Sequence, residues 1–136
     1  DIPAGTVCQD LIGTIDLLPT FAAITGSQLP KGKKIDGVNA INLLTGKGKS
    51  KRNEFIHYTS RGEVEGIRQG NWKLLVKKKR GKSVGEKDIL LFDLEKDLEE
   101  KNNLATQRPV IVSKLQSRME QIDGEITQNA RAPWNK

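Results

Sequence analysis

The sequence has little of what most catalytic and metal sites need. It contains one cysteine, Cys8, one histidine, His57, and only 4% aromatic residues among 136. A single cysteine cannot form an internal disulfide, so the fold must be stable without one. Zinc and calcium sites need clustered His, Cys, Asp or Glu side chains at ligand spacing, and Cys8 and His57 lie far apart. An autonomous metal centre is therefore not expected.

Other chemical signatures are missing as well. There is no G-x-S-x-G nucleophile motif, no P-loop and no dinucleotide fingerprint. The acidic residues from Glu95 to Glu100 lack the alternating Asp/Asn pattern with a central Gly that a calcium loop has. No apolar run approaches the roughly 20 residues of a membrane span. The start Asp1-Ile2-Pro3 shows no signal peptide and is expected of a fragment of a longer protein.

The chain is basic, with a formal net charge of +6. Its lysines and arginines gather in three loop-like clusters, at positions 31–34, 47–52 and 77–82. Such clusters are usually solvated loops, and the alternative is attraction to a polyanion, either nucleic acid or a sulfated glycan. With 35% hydrophobic residues, 136 residues are enough for one domain or less.

Two short helices are predicted in the first 49 residues. Asp16 is the expected N-cap of the first helix, and Gly26 is its expected C-cap. The apolar stripe of this helix predicts one buried face; its members are Leu17, Leu18, Phe21 and Ile24. A second short helix is expected after Asn39, ending at Gly46.

Strands and one long helix are predicted in the rest. The strand candidates are Phe55–Tyr58, Val64–Arg68, Trp72–Lys77 and Ile89–Phe92. Gln69-Gly70-Asn71 is typical of a tight hairpin, and Lys78 to Lys87 is too charged for anything but an exposed loop. A helix is expected after Thr106, its N-cap, because apolar residues from Ile111 to Ile126 recur every three or four positions. The last residues should fray, apart from an anchoring Trp134.

This order of elements predicts an α+β fold, in which a four-stranded antiparallel sheet packs against a long C-terminal helix. The short helices that precede the sheet are interpreted as remnants of a larger α/β domain. The corresponding domain assignment is residues 1–49 for that remnant with its connecting segment, and residues 50–136 for a C-terminal subdomain.

Three segments resemble a known family. They are DLLPTFAAITG from Asp16, GIRQGNWKLLV from Gly66 and ILLFDLEKDLEEKNNLA from Ile89. The last segment is similar to the closing motif of type I, arylsulfatase-like sulfatases, L-Y/F-D-L-x-x-D-x-x-E-x-x-N-L-A. The resemblance covers nearly the whole chain, and the order and spacing of the segments fit the family.

The resemblance implies a parent enzyme of the alkaline phosphatase superfamily that hydrolyses sulfate esters. In that family a large α/β domain holds a calcium ion and a formylglycine made from C/S-x-P-S/A-R, whose hydrate attacks sulfur. Cys8 is followed by Gln9, Asp10 and Leu11 and does not match that motif. The fragment alone is therefore expected to be inactive, without a catalytic, metal or cofactor residue, and to pack on the N-terminal catalytic domain of the same chain.

The resemblance also implies a bacterial parent that is periplasmic or secreted and acts on a sulfated small molecule or glycan, with no nucleic-acid partner and no membrane span. Candidates for the rim of its substrate pocket are His57, Arg61, Glu63, Glu65 and Arg68. Each has a plainer interpretation, as a strand or turn residue, and Arg68 has an ordinary ion pair as the alternative to sulfate binding. The rival function is a basic anion-binding module for sulfated glycan or nucleic acid.

Overall fold

The computed structural model describes residues 2, 4–32, 34–78 and 87–130, and it divides the chain into two compact units. The first unit ends at Asn53 and the second begins at Glu54. Most of the predicted Lys78–Lys87 loop and the predicted anchor Trp134 lie outside the described residues. The assignment of the two parts to separate domains of a parent enzyme stays a prediction.

The first unit contains a 3₁₀ turn, Thr14–Asp16, followed by helices α1 (Leu17–Thr25) and α2 (Ile41–Leu44). Helix α1 ends at Gly26, which has a φ of 66°, as the sequence predicted. The residues it buries are Pro19 and Thr20. The predicted apolar stripe is exposed instead: Leu17 by 40%, Leu18 by 52%, Phe21 by 56% and Ile24 by 57%. The apolar face of α1 is therefore not buried within this chain, as expected of a stripe whose packing partner would be a larger α/β domain.

The carboxylate of Asp16 organises the first unit. Asp16 stands at the N-cap position of α1, but its side chain makes no capping hydrogen bond, contrary to the prediction. It turns away and accepts from the amides of Gly13 (2.9 Å) and Val38 (2.8 Å). Arg52 donates to both carboxylate oxygens, from Nε at 2.8 Å and from Nη2 at 2.6 Å. One buried side chain thus joins three separate segments of the chain.

These partners keep the Asp16 carboxyl ionised although it is fully buried. Burial raises its pKa, but hydrogen bonds from the Arg52 side chain and from two backbone amides outweigh burial and lower the pKa from 3.8 to about 2. Because the folded-state pKa is depressed, the stabilisation is complete above pH 3.8 and is lost as the pH falls toward 2. Its size is roughly 2 kcal/mol.

The second unit is a four-stranded antiparallel sheet in the order β1-β2-β3-β4, followed by helix α3. Its elements are β1 (Glu54–Tyr58), β2 (Val64–Gln69), β3 (Trp72–Lys78), β4 (Lys87–Asp93) and α3 (Pro109–Asn129). A two-residue turn joins β2 to β3, and Gly70 takes a φ of 57° in it. The predicted hairpin, sheet and long helix are confirmed.

The core of the second unit lies between one sheet face and α3. Ile67, Leu74 and Leu91 occupy neighbouring positions on adjacent strands and are fully buried. The helix contributes its own stripe to the same cluster, namely Val112, Leu115 and Met119. Helix α3 begins at Pro109 with Arg108 as its N-cap residue, so the predicted cap Thr106 is wrong.

The segment that follows β4 closes the exposed edge of the sheet. Asn103 accepts from the Leu91 amide at 3.0 Å and donates to the Ile89 carbonyl at 3.2 Å, so its side chain pairs with the backbone of β4. The Leu104 amide continues the pairing to the Leu91 carbonyl at 2.8 Å. An edge strand presents unpaired backbone groups, and this segment satisfies them.

The acidic turn before Asn103 is held by its own carboxylates. Asp97 accepts from the amides of Lys101 (3.1 Å) and Asn102 (2.7 Å), and these hydrogen bonds lower the pKa of its carboxyl. Glu100 takes a φ of 57°, which is uncommon for a residue other than glycine, and its carboxylate accepts from Lys73 Nζ at 2.5 Å. The acids of this motif thus shape a turn.

Replacing Asp16 by Asn should destabilise the first unit by roughly 2–4 kcal/mol at pH 7, because Arg52 loses its charged partner in a buried position. It should also flatten the loss of stability between pH 4 and pH 2. Hydrogen exchange of the α1 and α2 amides measures both effects. Glu120→Gln, which removes an exposed carboxylate, is the control. Unchanged protection at pH 7 would contradict this account of Asp16.

Replacing Asn103 by Ala should destabilise the second unit by about 1–3 kcal/mol, since it leaves backbone groups of β4 without partners. Asn103→Asp keeps the acceptor and loses the donor, so it should have a smaller effect. Urea unfolding measures both changes, with Gln107→Ala as the control for an exposed amide. Equal effects of the alanine substitutions at 103 and 107 would show that the side-chain pairing contributes nothing.

Candidate functional site

The sheet has a second face, opposite α3, that carries His57 of β1 and Arg68 of β2. Side chains alternate along a strand, so the residues next to the buried core residues in the chain point to this side. His57 lies opposite Gly66, and Arg68 lies between Phe55 on β1 and Lys73 on β3. This second face, defined by these five residues, is the candidate site.

His57 is the unusual residue of the second face. Its ring meets Phe55 edge-on, with the centroids 5.7 Å apart. Its Nε2 is buried and has no hydrogen-bond partner among the residues that the structure describes. Buried polar atoms nearly always have a partner, and an exception on this face is a reason to expect a ligand or another polypeptide segment there.

The charges around His57 favour its neutral form. Burial lowers the pKa of His57 below its ordinary 6.5, and the positive charge of Lys73 lowers it further. Glu100 and Glu65 act in the opposite direction without reversing the shift. A neutral imidazole offers one donor and one acceptor, which suits hydrogen bonding to a substrate hydroxyl.

Arg68 offers a second polar group on this face. It is half-buried, and its Nε donates to the Gly70 carbonyl at 3.3 Å. Its two terminal nitrogens make no hydrogen bond or ion pair to the described residues. An arginine anchored at Nε presents its remaining donors as a fork, which matches the oxygens of a sulfate or carboxylate.

The position opposite His57 has no room for a side chain, and it is occupied by Gly66. A Cβ at this position would lie 2.3 Å from the Leu74 carbonyl oxygen and 2.7 Å from Leu75 Cδ2. Real contacts of a Cβ are never this short, so only glycine fits opposite His57 without a backbone shift.

The five predicted site residues fall into two groups. His57, Glu65 and Arg68 lie together and interact electrostatically. Arg61 and Glu63 are exposed on the turn between β1 and β2, where the Thr59 hydroxyl accepts from both of their amides, at 3.3 and 3.2 Å. Their assignment to a pocket rim stays a prediction, as it does for the other three.

Sequence reasoning missed two residues of this environment, Lys73 and Glu100. Lys73 could have been found, because a two-residue turn at Gly70 and Asn71 makes residues 68 and 73 partners on the same face. Glu100 could not, because it reaches Lys73 from an irregular turn 27 residues away in sequence.

No group of three or more His, Cys, Asp or Glu side chains within the described residues is arranged to hold a metal ion. Cys8 is exposed. The described part of this chain therefore offers no ligand set for the calcium ion that the resemblance implies for the parent. None of the helices described is both long and apolar enough to cross a bilayer.

Residues 1–125 match the family model described as N-sulphoglucosamine sulphohydrolase, C-terminal. The chain belongs to this family. The resemblance seen in the three sequence segments is thereby confirmed, and the α+β layer of sheet and helix is the architecture of a sulfatase C-terminal region.

Individual sulfatases share this region with the chain. It is 42% identical to bovine (Bos taurus) arylsulfatase A over 71 residues, which are 49% of this chain and 14% of the relative. It is 29% identical to N-acetylgalactosamine-6-O-sulfatase of Bacteroides thetaiotaomicron over 125 residues, 84% of this chain and 24% of the relative.

A solved structure from work on the metabolism of multiple glycosaminoglycans by Bacteroides thetaiotaomicron has a TM-score of 0.69 and 27% identity, over 84% of this chain and 25% of that one. The chain thus spans a quarter or less of the length of these three proteins.

The imidazole of His57 should titrate below pH 6.5 in the folded chain and near 6.5 in urea. Because His57 is the one histidine, its proton resonance is unambiguous in an NMR titration. The depressed pKa means that the unfolded chain binds this proton more readily, so stability falls as the pH drops below 6.5. Lys73→Met should raise the pKa, since it removes a positive charge and frees Glu100. A folded-state midpoint above 6.5 would contradict the description of the site.

Proposed function

We propose that the chain is the C-terminal subdomain of a longer sulfatase, whose parent enzyme hydrolyses sulfate esters. The single observation that carries this proposal is the family match over residues 1–125. The chain itself would be inactive, because the nucleophile and the calcium ligands of the family belong to a larger domain that it does not contain. Its role would be to pack on that domain and to complete the substrate pocket.

The second face is the part proposed to reach the pocket rim. His57 has a buried nitrogen that lacks a partner within the described residues, and Arg68 has donors to spare on the same face. Both features suit a surface that meets another polypeptide segment or a substrate. In this proposal His57 and Arg68 bind the part of the substrate that leaves with the ester oxygen, with Arg61, Glu63 and Glu65 around them.

The substrate class proposed is a sulfated saccharide. Support comes from the relatives: one is named an N-acetylgalactosamine-6-O-sulfatase, and one structure belongs to work on glycosaminoglycan metabolism. A bacterial parent that is periplasmic or secreted would meet such a substrate outside the cytoplasm. The alternative substrate class is a sulfated small molecule.

The rival, a basic anion-binding module, gains no specific support. The described lysines at positions 31, 34, 47, 49, 51 and 77 come from loops and a strand end in both units. Nucleic-acid binding would favour several exposed aromatic side chains near such charges. Among the described residues the exposed aromatic side chains are Phe21 in the first unit and Tyr58 in the second, which do not form a series of stacking rings.

In the full-length parent, His57→Ala and Arg68→Ala should raise KM for a sulfated saccharide about tenfold or change the ranking of substrates. The expected loss is one hydrogen bond, worth about 0.5–1.5 kcal/mol, or up to roughly 3 if charged. The turnover number for p-nitrophenyl sulfate should stay near that of the wild type, because the sulfur chemistry takes place elsewhere. Steady-state kinetics on both substrates measures the split.

Arg61→Ala tests the turn residues in the same assay, and Lys114→Ala, an exposed charge on α3, is the matched control. The rim proposal fails if the variants at 57, 61 and 68 all match the wild type on both substrates. The broader proposal fails if the parent hydrolyses no sulfate ester, or if the isolated chain hydrolyses p-nitrophenyl sulfate.

A further inference from the structure

A groove of about 330 Å³ opens on the α3 side of the sheet, where β3 begins and β4 ends. The polar and aromatic residues that line it are Trp72, Asp93, Lys96, Asp97, Asn102 and Arg108. Small-ligand sites usually occupy about 300–1,000 Å³ and combine apolar surface with a few polar groups. The groove lies on the face opposite His57 and Arg68, so the proposed rim does not account for it.

The walls of the groove are fixed by the backbone. Trp72 and Asp93 are register partners at the end of the β3–β4 ladder. The turn after Asp93 is closed by the amides of Lys96 (3.1 Å) and Asp97 (2.8 Å), both of which donate to the Asp93 carbonyl. A site that is held in place before binding loses less conformational entropy when a ligand enters.

The cations of the groove are available to a ligand. Arg108 is exposed, and its side chain makes no hydrogen bond or ion pair to the described residues. Lys96 is 81% exposed, and its ammonium lies 3.9 Å from the nearer Asp93 oxygen, a long separation for an ion pair. An arginine and a lysine that line one groove can take the oxygens of a sulfate group.

The remaining polar groups suit sugar hydroxyls. The carboxylates of Asp93 and Asp97 already accept from backbone amides of their own turn, and each keeps further lone pairs for a sugar hydroxyl. The side chain of Asn102 can both donate and accept. Trp72 is half-buried, and its indole N–H has no partner among the described residues. Part of the indole packs against the core, and the part that lines the groove offers apolar surface to a sugar ring, with a donor at the edge of the indole.

We propose that this groove binds a sulfated sugar unit of a saccharide chain. The ring packs on Trp72, the sulfate lies against Arg108 and Lys96, and the hydroxyls meet Asp93, Asp97 and Asn102. The choice of ligand rests on the proposed function.

The test uses the full-length parent with its nucleophile replaced by Ala, so that the probe is not consumed. Calorimetry would titrate it with a tetrasaccharide that carries N-acetylgalactosamine 6-sulfate. We expect binding to this groove in addition to the pocket, with Arg108→Ala weakening the groove event about tenfold or more. Lys96→Ala and Trp72→Phe should weaken it too, and Lys114→Ala, an exposed charge outside the groove, should not.

Three results would overturn the inference: absence of a binding event that depends on Arg108, equal affinity for the desulfated tetrasaccharide, or equal affinity for a single-stranded oligonucleotide of the same charge. With the active parent, Arg108→Ala should raise KM for the tetrasaccharide and leave p-nitrophenyl sulfate unaffected.

The two proposals can fail separately. If the parent hydrolyses sulfate esters and Arg108→Ala changes neither binding nor KM, the groove assignment alone is wrong. If the parent hydrolyses no sulfate ester, the proposed function fails, and titration still decides whether the groove takes a sulfated sugar.

Discussion

The register of the β2–β3 hairpin is the constraint on which the rest of the second unit depends. A two-residue turn at Gly70 and Asn71 makes Ile67 the partner of Leu74 and Arg68 the partner of Lys73. The first pair faces α3 and joins the core, so the second pair must point the other way. A slip of one residue would bury the charges and expose the apolar residues, and for this reason hydrophobic burial also fixes the position of the polar groups around His57.

The first unit is held together by different means. Its central residue is an ionised carboxylate with donors from three segments, whereas the apolar side chains of α1 stay at the surface. A buried ion pair is a specific rather than a strong source of stability, since desolvation offsets much of the attraction. Thr20 adds to the same network, because its hydroxyl donates to the Asp16 carbonyl and accepts from the Ala40 amide at 2.9 Å. Directional polar contacts fix this unit where packing alone would leave several arrangements.

Periodic patterns in the sequence predicted the elements well, and side-chain partners poorly. The strands, the hairpin and α3 follow from alternation, turn residues and a stripe of apolar residues, all of which are local signals. Asp16 was expected to cap its own helix because that is the nearest use of its carboxylate. It binds Arg52, 36 residues later, in place of the amides of α1. The candidate site shows the same division: Arg68 and Lys73 are paired by a local turn, while the link from Lys73 to Glu100 depends on how an irregular segment folds back.

The left-handed backbone of Glu100 has a consequence for how this sequence can change. Glycine would adopt that conformation with less strain, yet it would remove the carboxylate that neutralises Lys73. The ammonium would then act on the neighbouring imidazole without its counter-ion. Position 100 therefore has two opposing requirements. Low backbone strain in the turn favours glycine, whereas the charge balance around His57 favours glutamate. A substitution at position 100 would change the pKa of His57 while every residue of the sheet stayed the same.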